Sequence, residues 1–92
     1  MLEIELTSKM KRDVKRMQKR GKDMSKLREV LKLLVSHQVL PLQFKDHQLR
    51  GEMREYRECH IEPDWLLIYQ IFEDRLTLLA SGTGSHSDLF DQ

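Results

Sequence analysis

Three histidines and one aspartate in the second half of the chain have the residue types and spacing expected of an acid–base site. His60 and Asp64 lie four residues apart across a proline turn, and an apolar stretch follows directly. His47 precedes this pair and His86 follows it, each beside turn-forming residues. Histidine is the side chain best suited to exchanging protons near neutral pH. The pattern indicates a nuclease-like site.

The chemistry indicated is cleavage of RNA at a phosphodiester. One group must take the proton from a ribose 2′-hydroxyl, and another must protonate the departing 5′-oxygen. A nearby cation is also favourable, because negative charge accumulates on the phosphate in the transition state. Lys45 and Arg57 are the candidates for that contact with substrate. Trp65, Tyr56 and Phe90 are candidates for stacking on an exposed base.

Each candidate residue also has an ordinary structural interpretation. His47 suits a loop with a local hydrogen-bond partner, and His60 and Asp64 suit the stabilisation of a turn. Trp65 heads an apolar stretch, where a place in the core competes with stacking, and His86 suits an exposed tail. The residues alone leave both interpretations open.

Metal binding is the other common use of several histidines. His60 and Asp64 would share a face only on a helix, and Pro63 argues against a helix there. The chain has neither a His-Glu-x-x-His motif nor paired cysteines. We therefore predict no metal and no cofactor.

Length and composition predict one cytoplasmic domain that spans residues 1–92. A chain of 92 residues suits a single domain with a modest core. The single cysteine, Cys59, excludes an internal disulfide and suits a reducing compartment. No apolar run approaches the roughly 20 residues that a membrane helix requires. The first residues do not form a signal-peptide pattern, because apolar residues alternate with charged ones.

The charges are divided unevenly along the chain, although the net charge is only +1. Residues 1–44 contain 11 Lys and Arg against 5 Asp and Glu, whereas residues 45–92 contain 5 against 10. A basic half is typical of a surface that binds a polyanion or an acidic protein. Solvated, lysine-rich helix faces are the alternative interpretation.

The first half predicts a strand and two amphipathic helices. Strict alternation of apolar and charged residues indicates a strand whose core face consists of Leu2, Ile4 and Leu6. Thr7 or Ser8 can cap the first helix and Gly21 can end it. Asp23 can cap the second helix.

The second half changes to a period of two and predicts strands at 53–59, 65–72 and 76–80. A charged hairpin turn is expected at 73–75 and a short helical turn at 86–90. The predicted order is β-α-α-β-β-β. It describes an α+β domain with two N-terminal helices packed on a twisted antiparallel sheet.

Three motifs of the second half carry a resemblance. They are Lys45-Asp46-His47-x-Leu49-x-Gly51, then Tyr56-Arg57-x-x-His60-x-x-Pro63-Asp64-Trp65-Leu66-Leu67-Ile68-Tyr69, then Gly84-Ser85-His86-Ser87-Asp88-Leu89-Phe90. In this order and spacing they resemble the YafQ family of toxins, part of the RelE/ParE superfamily of type II toxin–antitoxin systems. Residues 13–15 and 18–24 are similar to the family as well, so the resemblance covers almost the whole chain.

The resemblance implies an endoribonuclease that enters the ribosomal A site and cuts the mRNA there. It places His47, His60, Asp64 and His86 at the family's acid–base and phosphate-contacting positions. It places Trp65 at a position tied to the site or its support, and Phe90 likewise. We expect His86 to be the acid, with Asp64 and His60 on the base side.

The resemblance also implies the partners. The basic helices are expected to bind ribosomal RNA, and an acidic segment of a cognate antitoxin is expected to fold onto the toxin and block it. The free toxin is expected to be monomeric and to form a hetero-oligomer with the antitoxin.

One position departs from the family's pattern. Family members usually carry an arginine two residues before the Gly-Ser/Thr-His motif, and here that place is Gly82. We hypothesise that the chain is either a naturally weak member or a form attenuated so that a host survives making it. The alternative is a binding module of the RelE/ParE fold, with little nuclease activity, that binds an antitoxin or a different target.

Overall fold

A five-stranded sheet with two helices packed against it forms the fold. The computed structural model describes residues 1–90. In chain order the elements are β1 (Glu3–Leu6), α1 (Ser8–Lys19), α2 (Met24–Val35), β2 (His47–Gln48), β3 (Arg57–Glu62), β4 (Trp65–Phe72), β5 (Thr77–Gly84) and α3 (His86–Phe90). The predicted α+β class with two N-terminal helices is confirmed. Within residues 1–90, no helix has both the length and the apolar character needed to cross a bilayer.

Both predicted helix starts are confirmed by their caps. The Thr7 hydroxyl accepts a hydrogen bond from the Met10 amide at 3.0 Å, and the Asp23 carboxylate accepts one from the Ser25 amide at 2.9 Å. Each bond satisfies an amide that has no partner within its own helix. Gly21 ends α1 as predicted, with a left-handed φ of +82° that suits glycine.

The core lies between the helices and one face of the sheet. Its members include Met10, Met17, Leu27, Val30 and Leu34 from the helices and Cys59, Leu67, Tyr69, Leu78 and Ala80 from the strands. Because side chains alternate between the two faces of a strand, Glu58 and His60 point away from this core. Burial raises the pKa of the Cys59 thiol to about 12, which leaves it unreactive near neutral pH.

The prediction of a purely antiparallel sheet is wrong. The strand order is β1-β5-β4-β3-β2, and β1 pairs with β5 in parallel. The other neighbours pair antiparallel, as predicted. Seventy residues separate the end of β1 from the start of β5, so no tight turn forces these two strands to run in opposite directions.

The predicted core face of β1 is confirmed by its register, which aligns Ile4 with the core residue Leu78, but only its first member is deeply buried. Leu2 is buried, but Ile4 and Leu6 are 45% and 40% exposed. The reason is that β1 is an edge strand, and α2 meets it only at its beginning, where the Leu2 amide donates to the Val35 carbonyl at 2.9 Å.

The strand predicted at 53–59 begins later than expected. Gly51–Met53 forms a 3-10 turn, and β3 begins at Arg57. A further short strand, β2, pairs with β3 so that His47 lies opposite Glu58. Sequence patterns missed β2 because it is only two residues long and depends on its partner.

An additional residue in β5 determines which side chains reach each face. Ile68 pairs with Gly82, whereas the next residue, Tyr69, pairs with Ala80. Ser81 is therefore a bulge residue on β5. Since Ile68 also pairs with Glu58 on its other side, Gly82 lies on the same polar face of the sheet as Glu58.

The second half of β5 has a helix in place of a neighbouring strand. β1 pairs only with residues 77–80, and α1 continues along the edge beyond them. The Thr7 hydroxyl donates to the Ser81 carbonyl at 3.1 Å, and the Thr83 amide donates to the buried Asp13 carboxylate at 3.1 Å. Side chains of α1 can therefore reach round this edge.

Candidate active site

The fold brings the three predicted histidines together on the polar face of the sheet. The His47 and His60 ring centroids are 6.4 Å apart, and those of His60 and His86 are 5.8 Å apart. His47 comes from β2, His60 from β3 and His86 from the start of α3. A reacting group between these rings would have imidazole nitrogens on more than one side.

His86 and Asp64 form the most tightly held pair of the cluster. The His86 Nδ1 lies 2.6 Å from the Asp64 Oδ1, and the His86 amide donates to the same oxygen at 2.9 Å. These two contacts, the amide first, hold the pKa of Asp64 below its usual value. An ionised Asp64 fixes the ring with Nδ1 toward the carboxylate, which leaves Nε2 for proton transfer.

Glu58 is a member of the cluster that sequence reasoning missed. Its side chain is buried, with Oε2 3.5 Å from the His47 Nε2 and Oε1 3.6 Å from the His60 Nε2. One carboxylate thus faces two imidazoles, and it attracts each ring when that ring is protonated. The alternation of side chains along the strand could have identified Glu58, because Glu58 and His60 are two residues apart and therefore share a face.

The backbone carbonyl of Lys45 orients the His47 ring. The ring Nδ1 lies 2.7 Å from the Lys45 carbonyl oxygen. Lys45 has a left-handed φ of +48°, which ends the turn at Leu42–Phe44 and aims that carbonyl at the ring. The exposed Lys45 also lines an open cavity of about 320 Å³, together with Gln43, Phe44, His60, Ile61, Glu62 and Pro63. This cavity opens directly onto His60.

Arg57, predicted to contact substrate, is directed away from the histidines. Arg57 directly precedes Glu58 on β3. Because successive side chains of a strand point to opposite faces, Arg57 lies on the helix-facing side of the sheet. Its guanidinium donates to Asp46 at 2.9 Å, and the Tyr69 hydroxyl donates to the same carboxylate. The bond to Asp46 raises the pKa of Arg57. This placement does not support a substrate contact.

Trp65 lies in the core and has no exposed ring face on which a base could stack. Its indole donates to the Thr83 hydroxyl at 2.9 Å, and that hydroxyl donates to the Leu66 carbonyl at 2.6 Å. Two roles were considered for Trp65, stacking on a base and support of the site. This placement is compatible with the second, because Trp65 supports β5 close to His86. Phe90 is half-buried and lines a second cavity, of about 170 Å³, at the end of α3.

A clasp between α1 and α3 positions His86. The two terminal nitrogens of Arg20 lie 2.5 and 2.8 Å from the Asp88 carboxylate. The same carboxylate accepts the Ser85 amide at 2.9 Å. The Arg20 guanidinium is the main reason that the pKa of Asp88 is far below its usual value. Sequence reasoning missed this pair because 68 residues separate its members.

We expect Asp88→Asn to weaken the acid dependence of stability. The folded-state pKa of Asp88 is lowered, so its contribution is complete above the unfolded value of about 4 and is lost as pH falls below it. The unfolding free energies of parent and variant should therefore converge on acidification, as urea titrations at several pH values would measure. Asp74→Asn, in an exposed turn, is the matched control. A parent–variant difference that is constant with pH would contradict the expectation.

Three side chains of the cluster also have the arrangement of a metal site. Glu58, His60 and His86 offer ligand atoms that all lie within 4.8 Å of one another. Two imidazoles and one carboxylate form a donor set that suits zinc or copper. The sequence pattern could not indicate this set, because His86 follows His60 by 26 residues.

Comparison with known proteins decides the family. Residues 2–91 match the family described as "Bacterial toxin of type II toxin-antitoxin system, YafQ". The chain belongs to the YafQ toxin family. It is similar to the Escherichia coli K12 protein named mRNA interferase toxin YafQ, with 45% identity over 96% of this chain and 95% of that protein. A putative toxin YafQ from Haemophilus influenzae is 35% identical over 75% and 71% of the two chains.

Solved structures of YafQ relatives have the same fold. The E. coli DinJ–YafQ complex contains a chain that matches with a TM-score of 0.89 and 41% identity, over 98% of this chain and 99% of that one. A toxin from Helicobacter pylori, described as metal-bound, matches with a TM-score of 0.93 and 43% identity, over 98% and 100%. The resemblance to the YafQ family inferred from the motifs is confirmed.

Proposed function

We propose that this chain is a ribosome-dependent endoribonuclease that cleaves mRNA in the A site. The observation that carries the proposal is the placement of His86, held by Asp64 at 2.6 Å and facing His60 with 5.8 Å between ring centroids. Two imidazoles on opposite sides of a phosphodiester are the groups that proton transfer to and from it requires. The similarity to an mRNA interferase at 45% identity supports the same activity.

In the proposed reaction, His60 takes the proton from the ribose 2′-hydroxyl and the 2′-oxygen attacks the phosphorus. The bond from phosphorus to the 5′-oxygen then breaks, and His86 protonates that oxygen. The products are a 2′,3′-cyclic phosphate and a 5′-hydroxyl. His60 ends protonated and His86 neutral, so both exchange a proton with solvent before the next turnover.

This assignment changes one expected role. Asp64 accepts two hydrogen bonds from His86, so we assign it to orient that ring rather than to act as a base. His47 lies on the other side of Glu58 from His60, and we assign it to contact the phosphate. Lys45, exposed beside the cavity at His60, is a second contact for the RNA strand.

We propose a cognate antitoxin and the ribosome as partners in the cytoplasm. The complex of the E. coli relative with DinJ supports an antitoxin that binds this fold. The excess of Lys and Arg in residues 1–44 suits both an acidic antitoxin segment and ribosomal RNA. The toxin alone would be monomeric, and the antitoxin would bring copies together.

The test of the proposed function is primer extension on an mRNA incubated with translating ribosomes and this protein. Cuts at in-frame codon positions, absent when ribosomes are omitted, are the expected result. No cuts in either reaction would overturn the proposal and favour a binding module. Cuts without ribosomes would instead indicate a general ribonuclease.

Attenuation by Gly82 is a further part of the proposal. We expect Gly82→Arg to increase cleavage about 10- to 100-fold, because a guanidinium would stabilise the transition-state charge and one such donor is typically worth ~10²–10³. The gain falls short of that range because a side chain at residue 82 must displace the Lys9 ammonium, 3.1 Å from its Cβ position. Rates from the same primer-extension assay would measure it.

Gly82→Met is the matched control, since it adds a side chain of similar length without charge. It should not increase cleavage. If Gly82→Arg cleaves no faster than the parent, the site lacks no cation and the attenuation hypothesis is wrong.

A further inference from the structure

The ammonium group of Lys9 occupies the space beside Gly82. A Cβ atom placed on Gly82 would lie 3.1 Å from the Lys9 Nζ and 3.3 Å from the Asp13 Oδ2. A positive charge is therefore already present where a longer side chain at residue 82 would begin. Because residue 82 is glycine, Lys9 can approach the strand this closely.

The sheet register places this charge on the face that carries the histidines. His47 pairs with Glu58, Glu58 with Ile68, and Ile68 with Gly82, in one row across four strands. With adjacent strands about 4.8 Å apart, Gly82 is about 10 Å from Glu58. Glu58, Ile68 and Gly82 are themselves buried, but His47 and Lys9 are exposed at the two ends of the row. An RNA strand that passes over the row can contact both.

Lys9 reaches the row because α1 flanks the free edge of β5. Its Nζ donates to the buried Asp13 carboxylate at 2.7 Å, and that carboxylate also accepts the Thr83 amide at 3.1 Å. Asp13 thus fixes Lys9 to the strand edge. Arg16 binds the other Asp13 oxygen at 2.9 Å, and its Nε lies 3.9 Å from Asp88, which also pairs with Arg20. Three cations against two carboxylates leave this group with one positive charge.

The charge of Lys9 faces an open space rather than the core. Its side chain is 52% exposed, whereas that of Asp13 is 5% exposed. Lys9 is part of the wall of the 170 Å³ cavity, whose other walls include Tyr56, Ile68, Leu89 and Phe90. Apolar and aromatic walls with one ammonium at the side suit a nucleotide, with its base on the walls and its phosphate at the cation.

We propose that Lys9 binds a phosphate of the mRNA at the active site and supplies part of the charge that an arginine at residue 82 would give. The proposal rests on the proposed nuclease function. An ammonium is a single-point charge, whereas a guanidinium binds phosphate through two parallel hydrogen bonds, so Lys9 compensates only in part.

The test is a double-mutant cycle in the ribosome-dependent cleavage assay. Lys9→Gln should lower kcat/KM about 10-fold, consistent with loss of one charged contact to phosphate. In the Gly82→Arg background the same substitution should have an effect below about 2-fold, because the arginine has already displaced the ammonium. Lys9→Arg should retain most of the parent rate.

Lys15→Gln is the matched control, because it removes another exposed cation of α1. Any effect it has on ribosome binding should be the same with and without Gly82→Arg. Thermal unfolding of each variant separates a loss of fold from a loss of contact. Glutamine at residue 9 can still donate to Asp13, and Arg16 still pairs with that carboxylate.

The outcomes separate this proposal from the function on which it rests. A parent that cleaves, with Lys9→Gln equal to it, would overturn the role of Lys9 and leave the nuclease function intact. An equal loss from Lys9→Gln in both backgrounds would mean a structural role and would also overturn it. A parent and a Gly82→Arg variant that both fail to cleave would overturn the nuclease function itself, and with it the role of Lys9.

Discussion

Replacement of His86 by alanine is expected to lower mRNA cleavage about 10²–10⁴-fold, the usual range for loss of a general acid. His86 is held at 2.6 Å by Asp64, and its ring centroid lies 5.8 Å from that of His60. Alanine removes the proton donor for the leaving 5′-oxygen and leaves Asp64 without the ring that it orients. Single-turnover primer extension on translating ribosomes would measure the loss.

His37→Asn is the matched control for this prediction. His37 follows α2 and lines a cavity on the helix-facing side of the sheet, away from the cluster. Its φ is +58°, a conformation that asparagine tolerates, so the backbone should be preserved. Cleavage close to that of the parent is expected. A His86→Ala protein that cleaves within a few fold of the parent would exclude His86 as the acid.

Glu58→Gln is expected to lower cleavage on the order of 10²-fold, the size of effect seen when one preorganised electrostatic contact is lost. The buried carboxylate lies 3.5 Å from the His47 Nε2 and 3.6 Å from the His60 Nε2. Glutamine keeps the volume but removes the charge that faces both rings. The measurement is kcat/KM for cleavage, together with a thermal unfolding midpoint.

Glu73→Gln controls for the loss of one negative charge, because Glu73 lies exposed in the turn between β4 and β5. It should cleave like the parent. If Glu58→Gln retains the parent's rate, the two histidines act without the carboxylate and Glu58 serves only packing. A large fall in its unfolding midpoint would assign the loss to the fold instead.

Local patterns predicted the parts of the fold that depend on local chemistry. The caps at Thr7 and Asp23 and the stop at Gly21 use hydrogen bonds or backbone angles within a few residues. Motif spacing also selected the three histidines that the fold brings together. The caps and the stop are visible in a sequence because their interacting groups are close along the chain, whereas the histidines span 39 residues and were selected by residue type and by the family motifs.

Features that depend on distant pairing were predicted poorly. The parallel partner of β1 is more than 70 residues away, and nothing in its alternation specifies direction. Arg57 was grouped with the histidines by nearness in sequence, although alternation on β3 turns it to the other face. Glu58 was overlooked because its importance comes from β2, which places His47 opposite it.

The bulge at Ser81 makes the length of β5 as important as its composition. It shifts the parity of the strand, so that Thr83 turns inward to Trp65 while Gly82 shares a face with Glu58. Deleting one residue here would exchange those faces and turn Thr83 outward, whereas a substitution alters a single contact. Substitutions in this segment should therefore be tolerated one at a time, but single-residue insertions and deletions should not.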